Sequence, residues 1–174
     1  MASNITLITG GIKSGKSSWS LQHGEQYGPS RAFIATATAL DDEMKRRIDD
    51  HRNERRDRWT TFEEPRDIAG CIERISGRYS VILLDCLTMW VSNLLTVYNL
   101  QEDVIRSEQE TLIKVLERET SPVVIITNEV GMGLVPPDRL SRKYQELLAA
   151  VNKRIAAAAS RVYFMVSGIP QKIK

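Results

Sequence analysis

Cysteine, histidine, long apolar runs and an excess of charge of either sign are all scarce in this sequence, and each scarcity narrows what the chain can be. Its two cysteines, Cys71 and Cys86, stand fifteen positions apart without a C-x-x-C and without a partner cluster of histidines. Neither a zinc site nor a redox dithiol is indicated, and reduced thiols in a cytoplasmic protein are the expectation. No apolar stretch approaches the roughly 20 residues that span a bilayer. The opening MASNITLITG has neither the basic flank nor the cleavage site of a signal peptide, so a soluble protein without a membrane span is expected. The 24 basic and 22 acidic residues nearly cancel to a net charge of +2, which gives no electrostatic case for a nucleic-acid partner.

What is present is enough for one substantial core: 174 residues, 42% of them hydrophobic, read as a single domain over 1–174. Apolar runs at Ile5 to Thr9, Ala32 to Ala37, Val81 to Asp85, Val123 to Asn128 and Val162 to Val166 predict strands. Between them, helices are predicted over Ser17 to Tyr27, Asp41 to Arg56, Pro65 to Ser76, from about Leu87, over Glu102 to Glu119 and over Arg139 to Ala159. In the last, Leu140, Tyr144, Leu147, Val151, Ile155 and Ala158 recur at helical spacing as one packing face. Gly28 to Ser30, Trp59 to Pro65 and Gly131 to Pro137 read as loops, and Gly24 is a poor residue for the interior of its helix. Strands that are apolar throughout and alternate with helices predict an α/β fold, a mainly parallel sheet covered on both faces in three layers.

Gly10 to Ser17, GGIKSGKS, meets the pattern G-x-x-x-x-G-K-[ST] between a predicted strand and a predicted helix. Glycines let the backbone curl so that its N–H groups converge on phosphate oxygens, Lys16 adds a positive charge, and the Ser17 hydroxyl can hold Mg²⁺. The positive end of the following helix dipole adds to the same field. The pattern also calls for a carboxylate at the end of a neighbouring apolar strand. Asp85, closing VILLD, is the candidate, and capping of the helix beginning at Leu87 is a second, compatible reading.

The segment DDEMKRRIDDHRNERRDRW carries His51. As a helix it places Met44, Arg47, Ile48, His51 and Arg55 on one face. Arginines one turn to either side attract polyphosphate and disfavour imidazolium, leaving a neutral ring that is able to attack an α-phosphate. A solvated charged helix with an incidental histidine fits the same pattern. His23 reads as a surface or packing residue.

Taken together, TGGIKSGKS, IATA, LDDEMKRRIDDH, the W-x-T-x-E element Trp59 to Glu63, LLDCLTMWVSNLL, TNEVGMGLVP and the closing VSGIPQKIK resemble, from end to end, the bifunctional adenosylcobinamide kinase and adenosylcobinamide-phosphate guanylyltransferase family of cobalamin biosynthesis. The resemblance implies a RecA-like P-loop NTPase domain assembled as a homotrimer. It implies phosphorylation of adenosylcobinamide by GTP or ATP, then transfer of GMP from GTP to the corrinoid phosphate through a guanylylated histidine, here His51. The nucleotide contacts it implies are Gly10, Gly11, Ile12, Lys13, Ser14, Gly15, Lys16, Ser17, Thr36, Ala37, Thr38, Arg52, Asn53, Glu54, Arg55, Glu63 and Asp85, with Mg²⁺ on Ser17 and Asp85. Thr38 and Arg52 to Glu54 carry over by position rather than by identity. Glu129 and the Gly131/Gly133 loop match a family motif as either a turn or a substrate contact. Against this stand another P-loop small-molecule kinase and a GTP-hydrolysing switch protein, both of which lack a reactive His51.

Overall fold

The computed structural model describes residues 3–39 and 42–174, with the side chains at 47, 50, 51, 54 and 56 outside the described set. Strands β1 (Ile5–Gly10), β2 (Arg31–Ala35), β3 (Thr60–Glu63), β4 (Val81–Asp85), β5 (Val123–Ile126), β6 (Arg161–Val166) and β7 (Ile169–Lys172) form one sheet in the order β3-β2-β4-β5-β1-β6-β7. All neighbours pair in parallel except β6 and β7, which are antiparallel. The helices are α1 (Lys16–Glu25), α2 (Asp42–Arg55), α3 (Ile68–Ile75), α4 (Leu87–Ser92), α5 (Glu102–Arg118) and α6 (Arg139–Ala158).

The apolar strands feed two cores, because successive side chains of a strand leave opposite faces of the sheet. Ile5, Leu7, Ile34, Ile82, Leu84, Val123 and Ile125 join α3 to α6 on one face. Ile8, Phe33, Val81, Leu83, Val124 and Ile126 join Leu21 of α1, Trp59 and Met165 on the other. Continuous apolar runs are what a sheet covered on both faces requires, and the expected three-layer α/β architecture is the one observed.

Several boundaries differ from the sequence reading, each for a local reason. The predicted loop from Trp59 contains β3, a four-residue polar edge strand, while Trp59 itself is buried. The helix expected from Pro65 starts at Ile68, where the Asp67 carboxylate accepts the Gly70 N–H at 2.9 Å and caps it. The helix expected from Asp41 begins at Asp42, residue 41 lying outside the described residues. On α6 the packing face runs from Tyr144 through Leu147, Leu148, Val151 and Ile155, while Leu140 is exposed. Gly24 is required: a Cβ there would lie 2.6 Å from Cη2 of Trp59. The antiparallel strand β7 was not foreseen; the chain turns back into it through Ser167 and Gly168, both at positive φ.

Register aligns the carboxyl ends of the strands. Ala35 lies opposite both Glu63 and Asp85, Asp85 lies opposite Ile126, and Ile126 lies opposite Ile8, two residues before the glycine loop. Because β4 and β5 separate β1 from β2, the chain leaving β1 crosses over both before it re-enters the sheet. Ligands of open α/β sheets bind at such carboxyl edges.

Candidate nucleotide site

At that edge lies a cavity of about 640 Å³. Its walls come from the glycine loop and α1 (Ile12 to Ser18), from the strand ends (Ala35, Glu63, Asp85, Ile126) and from α2 (Met44, Lys45, Ile48, Asp49, Arg52, Arg55). Ala37, Cys86, Thr88, Met89 and Asn128 complete much of the remainder.

The loop is shaped by two glycines that no other residue replaces cheaply. Gly10 has φ +150° and a Cβ there would meet the Met165 carbonyl oxygen at 2.5 Å; Gly15 has φ +89° and would press on Gly168 at 3.1 Å. The loop therefore leans on the β6–β7 turn, which also donates the Gly168 N–H to the Ser14 carbonyl at 3.0 Å. Inside it, Lys16 Nζ donates to the Gly10 carbonyl at 3.2 Å, the Gly11 carbonyl at 2.5 Å and Ser14 Oγ at 3.4 Å. Burial holds the Lys16 pKa below the usual lysine range, with Cys86 and Asp85 pulling the other way. Asp85 supplies the opposing charge, because burial, reinforced by Asp85, pushes the Cys86 thiol up to about 12 and leaves it neutral.

Ser17 Oγ donates to Asp85 Oδ2 at 3.3 Å. Asp85 does not cap α4; the cap position is Cys86, without a side-chain cap bond. Two hard oxygens side by side suit Mg²⁺, which takes one or two protein ligands and completes its shell with phosphate oxygens and water. Among the described residues no group of three or more His, Cys, Asp or Glu gathers as a self-sufficient metal site.

Of the residues expected at the site, Ile12 to Ser17, Ala37, Arg52, Arg55, Glu63 and Asp85 line this one cavity. Arg52 pairs with Glu63 across it, and the Arg55 guanidinium lies 3.9 Å from the centroid of the Phe33 ring. Gly10 and Gly11 are not part of its wall but hold the lysine through their carbonyls. Thr36 is fully buried behind the wall: its hydroxyl donates to the Asp85 and Cys86 carbonyls at 3.2 and 2.8 Å and accepts the Cys86 N–H at 2.8 Å. Thr38 and Asn53 do not line the cavity. The side chains of His51 and Glu54 lie outside the described residues, although both positions belong to α2. His23 packs, stacked on Trp19 at 4.9 Å and edge-on to Tyr27 at 5.7 Å. Glu129 folds back to accept the Gly131 N–H at 3.0 Å, and Met132, Leu134 and Val135 beyond it are exposed. Thr88 and Asn128 were missed as lining residues; the only signal was that both fall inside motifs just past a strand end.

Among the described residues no helix is long and apolar enough to cross a membrane. The fold is similar to that of the RadB recombinase, with a TM-score of 0.50 at 15% identity over 94% of this chain and 74% of that one. That likeness supports the expected α/β architecture, a mainly parallel sheet covered on both faces. The chain is 40% identical to the bifunctional adenosylcobalamin biosynthesis protein CobU of Escherichia coli strain K12, over 98% of this chain and 99% of that protein. It is 37% identical to the bifunctional adenosylcobalamin biosynthesis protein CobP of Pseudomonas aeruginosa, over 97% and 96%. The CobU family model, described as cobinamide kinase / cobinamide phosphate guanyltransferase, matches residues 6–173, and the chain belongs to that family.

Proposed function

We propose that one cavity at the carboxyl edge of the sheet serves both reactions of this cobalamin-biosynthesis enzyme: phosphorylation of adenosylcobinamide, and GMP transfer from GTP to the resulting phosphate. The observation that carries this reading is the convergence of the Ser17 to Asp85 hydrogen bond, the buried Lys16 and the apolar and basic side of α2 on a single space.

In the first reaction the β and γ phosphates of GTP or ATP lie against the loop N–H groups from Ile12 to Ser17, with Lys16 as the fixed cation. Ser17 and Asp85 would hold Mg²⁺, which would neutralise charge on the phosphate oxygens. The corrinoid hydroxyl oxygen bonds to the γ-phosphorus, the bond from that phosphorus to its bridging oxygen breaks, and the nucleoside diphosphate leaves. In the second reaction an imidazole nitrogen of His51 attacks the α-phosphorus of GTP and pyrophosphate leaves. An oxygen of adenosylcobinamide phosphate then displaces the histidine and gives adenosylcobinamide-GDP. Position 51 belongs to α2, whose Met44, Ile48 and Arg55 line the cavity. Of the nucleotide contacts named above, those that line the cavity, Ile12 to Ser17, Ala37, Arg52, Arg55, Glu63 and Asp85, are the ones this reading uses. The 174 residues act as one nucleotide-binding domain, working in the cytoplasm as a homotrimer.

The test is incubation with GTP labelled at the α-phosphate. An acid-labile, base-stable label on the chain, absent in His51→Asn, is the expected result. No label on the parent chain, or an undiminished label in His51→Asn, would overturn the role of His51.

A further inference from the structure

Beyond the last ladder pair of β5, the chain keeps tracking β1: Thr127 and Glu129 donate their N–H groups to the Ile8 and Gly10 carbonyls at 3.0 and 3.1 Å. Asn128, between them, faces the other way, where β4 has already ended. Its N–H finds Thr88 Oγ1 of α4 at 2.8 Å, and its carbonyl accepts Asn152 Nδ2 of α6 at 3.1 Å. Asn152 is itself oriented by the buried Thr127 hydroxyl, which donates to its Oδ1 at 2.8 Å. The Thr88 carbonyl accepts the Tyr144 hydroxyl at 3.3 Å.

The backbone of Asn128 is thus fixed on both sides by side chains from helices that cover the sheet. Its own amide makes no hydrogen bond to any described residue, and it lines the cavity. Three elements hold a polar group that has nothing to bind among the described residues, a cost in fixed rotamers that packing of Asn128 itself does not return. β5 lies between β4, which ends on Asp85, and β1, which runs into the glycine loop. Asn128 therefore follows the strand that lies between the carboxylate and the phosphate cradle, and it lines the same cavity as both, the space a loop-bound nucleotide would fill.

We propose that Asn128 is a catalytic residue of the phosphorylation step, its side-chain N–H donating to a non-bridging oxygen of the γ-phosphoryl group as that group moves to the acceptor, with Thr88 and Asn152 as positioning residues. The inference rests on the function proposed above. In the step it serves, the bond from acceptor oxygen to γ-phosphorus forms, the bond to the β,γ-bridging oxygen breaks, the nucleoside diphosphate leaves and the hydroxyl proton is released to solvent. During guanylyl transfer the γ-phosphate does not react, so the same hydrogen bond is made equally before and during the reaction and does little to its rate.

The experiment measures both reactions on the same preparations, phosphoryl transfer from γ-labelled GTP to cobinamide and chain labelling from α-labelled GTP. Asn128→Ala, and Asn128→Asp, which keeps the volume but replaces donors by a carboxylate, should lower kcat of phosphorylation by about 100-fold or more. At saturating GTP the rate of chain labelling in Asn128→Ala should stay within about threefold of the parent. Thr88→Val should lower kcat of phosphorylation without raising KM for GTP, and Thr88→Ser, which keeps the acceptor for the Asn128 N–H, should restore it. At saturating GTP, parallel loss of both reactions in Asn128→Ala, or unchanged phosphorylation, would overturn the assignment. A parent chain inactive in both assays would overturn the function itself, and the role of Asn128 with it.

Discussion

Replacing Gly24 by alanine sets two effects of known size against each other. On helix propensity alone the change is favourable by at most about 1 kcal/mol, since the glycine sits in the last turn of α1. The added methyl, however, would stand 2.6 Å from Cη2 and 3.1 Å from Cζ2 of Trp59. Carbon pairs prefer roughly 3.5 to 4.0 Å, so either the ring or the helix must move by about 1 Å. The ring has little room: Trp59 is 5% exposed and stands edge-on to Phe33 with centroids 6.3 Å apart. Overpacking a rigid buried group costs about 1 to 3 kcal/mol, which outweighs the propensity gain. Gly24→Ala should therefore be destabilising by about 1 kcal/mol net, lowering Tm by about 2 to 4 °C in a chain of this size. Differential scanning calorimetry of Gly24→Ala, Trp59→Phe and the double variant separates the two terms. In the Trp59→Phe background the clashing ring atoms are gone, and the same substitution should become neutral or stabilising. A higher Tm for Gly24→Ala in the parent background would refute the packing argument.

Two further outcomes follow from a half-buried group on one face of the sheet and a buried one on the other. Burial, with Arg161 adding to it, lowers the pKa of His23, whose ring packs against Trp19, Tyr27 and Tyr163. The unfolded chain then binds more protons than the fold as pH drops below about 6.5, so stability declines through that range, and His23→Phe should flatten this part of the Tm against pH profile. An unchanged slope would place the pH dependence elsewhere. Trp90, 1% exposed, donates Nε1–H to the Arg66 carbonyl at 2.7 Å, and Trp90→Phe should cost about 1 to 3 kcal/mol, read as a lower urea midpoint at unchanged slope.

The parts legible in the sequence were those in which one local rule decides. Val81 to Leu84 is apolar throughout because both faces are covered, and the strand, closed by Asp85, has the predicted bounds. The glycine loop could be placed because no other residue fits φ +89° at Gly15 or the Met165 carbonyl beside Gly10. Edge elements were not legible. β3 has only four residues, two of them exposed, and β7 reads I-P-Q-K, so neither offers an apolar run; partners distant in sequence make them strands. Thr36 shows the same limit at the site. Its residue type suits a nucleotide contact, yet its hydroxyl is occupied by the Asp85–Cys86 turn, a pairing across 49 residues that only the fold brings about. Asn128 escaped for the converse reason: what marks it is the clamp from Thr88 and Asn152, which lie 40 and 24 residues away.

The claim that a single P-loop cavity serves both reactions is tested most directly by counting GTP sites at equilibrium on the His51→Asn chain, which cannot trap the nucleotide covalently. One GTP per chain, lost when Lys16→Met is added, is the predicted result. Two per chain, or one that survives Lys16→Met, would contradict it.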